Sequence, residues 1–206
     1  MDTDPMQYVE DQNDVENHKE VVDAKRSRKL NTLVAISVAL LATFMGICKV
    51  KDDNIVQAMQ QAQADKIDSY SWYQARNIRE EIAKATIAEL TAQAASVPEQ
   101  ARAVYQEQIK AYLAIEQDQA EKKTIQLADA EKAEKTYNEL NYHDDQFDLS
   151  DAMLALAISL LAVTALTQKR WLFGLAMVPT FFGTLMGLAG LFGWALHPNA
   201  LTRLLS

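Results

Sequence analysis

Residues 171–193 read WLFGLAMVPTFFGTLMGLAGLFG, a run without Asp, Glu, Lys or Arg that holds five of the chain's six glycines. Glycine costs ~1 kcal/mol relative to alanine in a water-exposed helix, yet it lets membrane helices approach one another closely. The sixth glycine, Gly46, lies in another apolar run, and the charged, alanine-rich region from Lys51 to Asp151 contains none. This distribution separates a membrane part from a long helical extramembrane part.

Three stretches lack charged residues: Leu30 to Cys48, Ala152 to Gln168 and Trp171 to Thr202. Each has the length needed to cross a ~30 Å hydrocarbon core, the second only just. The expected fold is an all-α integral membrane protein with three transmembrane helices and a long antiparallel, coiled-coil-like helical hairpin between the first and second. Its expected parts are a mostly disordered acidic tail over 1–24 and a first transmembrane helix with a basic flank over 25–50. A hairpin over 51–147 follows, turning near 96–98, and then a second transmembrane helix over 148–168, a third over 169–196, and a short tail over 197–206. The first span is too long, and its polar lead too extended, for a cleavable signal peptide. Cys48 has no partner cysteine in the chain and is read as a small apolar packing group rather than a lipidation site.

From Asp52 to Ala95 there is no Gly or Pro, and most residues are adequate to good helix formers. Pro98 suits the first position of a second helix running to about Leu140, which gives two arms of similar length. About a hinge at Val97, antiparallel pairing puts Ile67 near Leu127, Ile78 near Ile115 and Ile82 near Tyr112, apolar opposite apolar. Gln63 and Gln74 interrupt this thin seam, so self-association is expected to help it. Tyr142 to Asp151 is expected to join the arm to the second span, with Asp148 or Ser150 capping the incoming helix.

The net charge is -8, from 28 acids and 20 bases. An acidic body argues against nucleic acid as a partner. Lys25, Arg26, Arg28 and Lys29 flank the first span, and Lys169 and Arg170 form the turn between the second and third. Bases in short loops face the cytoplasm, so the N-terminus is expected there and the hairpin in the periplasm or a lumen. The flank is also expected to touch anionic lipid.

Each span carries a face of small residues: Ala35, Ala39, Ala42 and Gly46; Ala152, Ala155, Ser159 and Ala162; Thr180, Gly183, Gly187 and Gly190. Such faces pack helices within a chain or between subunits, and both readings stay open. No acidic or basic residue lies inside any span, which argues against a proton pump or ion-coupled transporter. His143, Asp144, Asp145 and Asp148 are weak metal candidates without a recognisable ligand spacing. Trp72, on a slender water-exposed arm, is expected to pack against another subunit or within the hairpin. No phosphate loop, dinucleotide fingerprint, nucleophile elbow or zinc-protease motif occurs. No cofactor and no catalytic residue is therefore expected, and the chain is not read as an enzyme.

The basic flank and first span, then Trp72-Tyr73-Gln74-Ala75-Arg76 with Ile78-Arg79, then Phe147-Asp148-Leu149 leading into Ala155, Ile158, Leu161, Ala162, Leu166 and Thr167, resemble the bacterial membrane family catalogued as domain of unknown function 4337. The resemblance covers about Lys29 to Trp194. It departs at Gln146, where the family pattern calls for a base, and in the acidic N-terminus. It implies an integral membrane protein with a helical insertion and brings no activity. The expected function is a non-enzymatic, oligomeric inner-membrane scaffold or docking protein, whose partners are the lipid bilayer, further copies of itself, or another membrane or periplasmic protein. The alternative is a subunit of a channel or energy-coupling complex, an analogy of span order alone.

Overall fold

The structure, a computed structural model, describes residues 5–196, with side chains described for His18, for Glu20 to Val22 and from Ala24 onward. It contains helices α1 (Pro5–Ser96), α2 (Glu99–Thr167) and α3 (Arg170–Phe192), and no strand among the described residues. Each helix is long and apolar enough to cross a membrane. The chain packs as two units, one built from residues up to Asn54 together with those from Tyr142, the other from Ile55–Asn141. His197, Pro198 and Arg203, read above as span end and tail, lie outside the described residues, as does the tail before Pro5.

The continuity of α1 and α2 exceeds the sequence expectation. Gly46 is the sole Gly or Pro between Pro5 and Pro98, and α2 contains neither. Once nucleated, a helix extends at little cost. Residues 5–24, expected to be mostly disordered, are accordingly helical, as an extension of the apolar segment that follows. The joining segment from Tyr142 to Asp151 is likewise interior helix rather than a start. Only a start leaves N–H groups needing a cap, so Asp148 and Ser150 do not play that role.

The first turn occupies Val97 and Pro98, where Ala101 N–H donates to Pro98 O at 3.0 Å and Arg102 Nε to Val97 O at 3.2 Å. The second is only Gln168-Lys169. Gln168 has φ 59°, a left-handed conformation that costs a non-glycine residue on the order of 1 kcal/mol. Its amide offsets that cost by donating to Ala165 O at 2.9 Å and to Asn31 Oδ1 on α1 at 3.1 Å.

In the apolar unit, Val34 and Leu41 of α1, Leu154, Ala157 and Leu161 of α2, and Ala176 of α3 form the buried core. Phe44, Ile158, Phe173 and Met177 close it at the sides. Thr43, Ser159, Thr164 and Thr180 return their hydroxyls to the carbonyl four residues earlier. That is how a hydroxyl is satisfied in apolar surroundings.

In the arm unit, the inward positions of both helices recur every three or four residues, through Ile55, Met59, Ala62, Lys66, Tyr73, Glu80 and Ala83 on α1 and Tyr112, Glu116, Gln119, Lys123, Ala130 and Tyr137 on α2. Lys66 Nζ meets Glu134 Oε1 at 2.9 Å, Arg76 Nη1 meets Gln119 Oε1 at 3.0 Å, and Lys123 Nζ reaches both Asn77 and Glu80. Lys66 therefore meets a residue two turns from the Leu127 region expected opposite Ile67. Ile67, Ile78, Ile82 and Ile115 all lie exposed. The apolar-on-apolar seam is thus corrected to one that is alanine-lined and polar in its middle third. Alanines allow close approach, and the buried Glu80 is compensated by two ammonium groups, as a buried charge requires. Bonds from Lys123 and then Lys84 hold the Glu80 carboxyl below its usual range, so this support is present above the ordinary carboxylate pKa and is lost as pH falls through the depressed value.

Candidate functional site

The three small-residue faces have different fates. On α3 the three face glycines, Gly183, Gly187 and Gly190, are filled from within the chain, while Gly174 has nothing within 4 Å. A Cβ on Gly183 would stand 2.9 Å from Leu154 Cγ, one on Gly187 2.7 Å from Phe44 Cε1 and 2.8 Å from Ser150 Oγ, and one on Gly190 2.7 Å from the Phe147 ring. Ser150 Oγ also donates to Gly183 O at 2.8 Å, so α2 lies against the α3 backbone. On α1, by contrast, Ala35, Ala39, Ala42 and Gly46 are all exposed, and nothing lies within 4 Å of the Gly46 position. On α2, Ala152, Ala155, Ser159 and Ala162 are exposed too, while Leu154, Ala157 and Leu161 turn inward. Sequence reasoning located all three faces but could not rank them, because steps of three and four residues recur on a filled face and on an open one alike.

Trp72 is 51% exposed, with the Arg76 guanidinium 5.8 Å from its ring centroid. It takes no part in the arm seam. With Ile67, Ile78, Ile82, Leu113 and Ile115 it leaves the arms with an unusual load of exposed apolar side chains.

Gln146 was singled out in the sequence only as a departure from a family pattern, yet it is wholly buried and decisive. Its Nε2 donates to Trp194 O at 2.8 Å and Leu196 O at 2.7 Å, just beyond the left-handed Gly193 that ends α3. Its Oε1 meets His143 Nδ1 at 3.1 Å. A base at this position would supply the same kind of donor to the same carbonyls.

The ends of the apolar unit are oppositely charged. At the arm end, Asp52 is 4% exposed, with Oδ2 bonded to Lys49 Nζ at 2.8 Å. Burial, the Asp148 charge and a hydrogen bond with Asp52 push the Asp144 carboxyl up to about 6, and Asp145 adds to the effect. The charged form is therefore the costly one, and the stability tied to Asp144 is full below pH ~4 and lost as pH rises through about 6. Heating the purified protein at pH 5 and pH 7.5 is expected to give the higher Tm at pH 5, with Asp144→Asn shrinking the difference. An equal difference in the variant would assign the effect elsewhere. His143 is engaged with Gln146 and edge-on to Tyr142 at 5.4 Å. Among the described residues no three His, Cys, Asp or Glu side chains are placed to hold a metal ion, so His143, Asp144, Asp145 and Asp148 are not brought together as ligands.

At the other end lie Lys25, Arg26, Arg28, Lys29, Lys169 and Arg170, all exposed, and none forms an ion pair among the described residues.

These features define an all-helical chain of three long apolar helices, packed through glycine contacts, with an inserted pair of helical arms. The family model described as "Domain of unknown function (DUF4337)" matches residues 30–193, and the chain belongs to that family. No curated protein and no solved structure matches it.

Proposed function

We propose that the chain is a non-enzymatic, oligomeric protein of a bacterial inner membrane, crossing the bilayer three times and using its arms as a coiled-coil-like scaffold or docking stalk outside the cytoplasm. The observation that carries this reading is the contrast between faces: Gly183, Gly187 and Gly190 of α3 are used up inside the chain, while the small faces of α1 and α2 have no neighbour. Small-residue faces drive helix association in lipid, where apolar side chains alone supply no preference for protein over lipid. The exposed aliphatic residues on the arms add a second surface suited to further copies or to another membrane or periplasmic protein. Trp171 and Trp194, exposed near the two ends of α3, suit the two interfacial belts.

The proposed orientation rests on six bases at one end of the apolar unit, with Lys19 preceding them in the sequence, against Arg203 as the one base of the C-terminal tail. An export-dependent reporter inserted at Ser96 is expected to be active, and a cytoplasm-dependent reporter silent. The reverse result would contradict this topology and favour the channel or energy-coupling alternative, which needs the insertion in the cytoplasm.

The arms offer an independent check of association. Ile78 and Ile115 are both exposed, so cysteines placed there in a Cys48→Ser background are expected to bridge between chains rather than within one. Intrachain bridges alone would argue that these side chains turn inward and that the arms have no such surface.

A further inference from the structure

At the basic end of the apolar unit, Arg26, Ser27 and Leu30 of α1, Gln168 of the α2–α3 turn and Arg170 at the start of α3 line a cleft of about 350 Å³, a size typical of ligand sites. Two guanidinium groups from separate helices border it, and neither has a carboxylate partner among the described residues. Converging like charges without a counter-charge is unfavourable, and an anion in the cleft reverses that. The turn is held against α1 by the Gln168–Asn31 bond at the expense of a left-handed Gln168, so the cleft is anchored on both sides. α3 starts at Arg170 with no side-chain cap on Lys169, which leaves the partial positive charge of a helix start beside the cleft. Ser27 adds a neutral hydroxyl, while buried Leu30 gives it an apolar floor.

We propose that this cleft binds the phosphate of an anionic phospholipid headgroup. Arginine matches phosphate oxygens in a bidentate fork, and basic pockets between helices at a cytoplasmic surface are suited to anionic headgroups. The apolar floor favours a lipid over a free anion, because a headgroup arrives with its glycerol and acyl chains attached. The inference rests on the membrane reading above, and its test separates the two.

The full-length protein is purified in a neutral detergent, phosphatidylglycerol or phosphatidylcholine is added, and bound lipid is counted by native mass spectrometry. The wild type is expected to retain phosphatidylglycerol in preference to phosphatidylcholine. Arg26→Gln with Arg170→Gln is expected to weaken that retention roughly 25-fold, about fivefold for each base near a headgroup. Lys25→Gln with Lys29→Gln removes the same charge from the same flank but lines a different cleft, and is expected to cost much less. Equal losses from the two pairs would reduce the effect to diffuse charge and overturn the site. Displacement of the lipid by an equal concentration of inorganic phosphate would overturn the lipid assignment in favour of a free anion. Alkaline washing of membranes supplies the separate control: a chain released by the wash would overturn the membrane reading, whereas one retained in the pellet that shows no lipid preference would overturn this proposal alone.

Discussion

Replacing Gly187 with isoleucine is expected to destabilise the apolar unit by about 3 kcal/mol, the upper end of ordinary overpacking. A Cβ alone would intrude to 2.7 Å on the Phe44 ring and 2.8 Å on Ser150 Oγ, before the rest of the branched side chain is placed. Neither neighbour yields easily. Phe44 closes the buried core, and Ser150 is fixed by its bond to Gly183 O. Thermal unfolding followed by tryptophan fluorescence should show a clear drop in Tm, whereas Leu185→Ile, a volume-conserving change, should stay within ~1.5 kcal/mol of wild type. An unchanged Tm combined with loss of assembly would return the α3 face to a role between subunits.

Gln146→Leu is expected to cost about 1–3 kcal/mol. It keeps the volume but strands the Trp194 and Leu196 carbonyls, and leaves a buried acceptor or donor unmade. Hydrogen exchange should be the sharpest readout, because the lost bonds tie down the segment after α3. Residues 190–196 are expected to exchange faster in the leucine variant than in wild type. Gln146→Lys, which retains a donor, is expected to fall closer to wild type. If leucine left exchange over 190–196 unchanged, those carbonyls would have another source of donors.

The two substitutions also mark where the sequence was legible. Charge-free length and the glycine distribution were enough to locate three apolar helices and the turn at Val97-Pro98, because helix breakers and membrane length act locally. The continuity of α2 through Tyr142–Asp151 was missed: four aspartates near a serine look like a cap when the helix before them is not assumed to continue. Arm register was missed for a different reason. Ile78 and Ile115 are the natural apolar seam by composition, but alanines at Ala62, Ala83 and Ala130 allow closer approach, and Glu80 can enter the seam because Lys84 and Lys123 accompany it. Which small face is filled depends on Phe44 and Phe147, aromatic side chains far away in sequence that no spacing rule connects to Gly187 and Gly190. Gln146 had one signal, a departure from a pattern calling for a base; only the position of the end of α3 gives that departure its meaning.

The central claim is that the chain is a membrane protein that associates through faces its own fold leaves open. Mass determination of the protein held in native-lipid particles tests this most directly, with Ala39→Ile and Ala42→Ile on the open α1 face as the comparison. The account predicts a wild-type assembly at a multiple of the 23.0 kDa chain and a smaller one for the double variant at unchanged helical content. A wild-type mass of a single 23.0 kDa chain would contradict it.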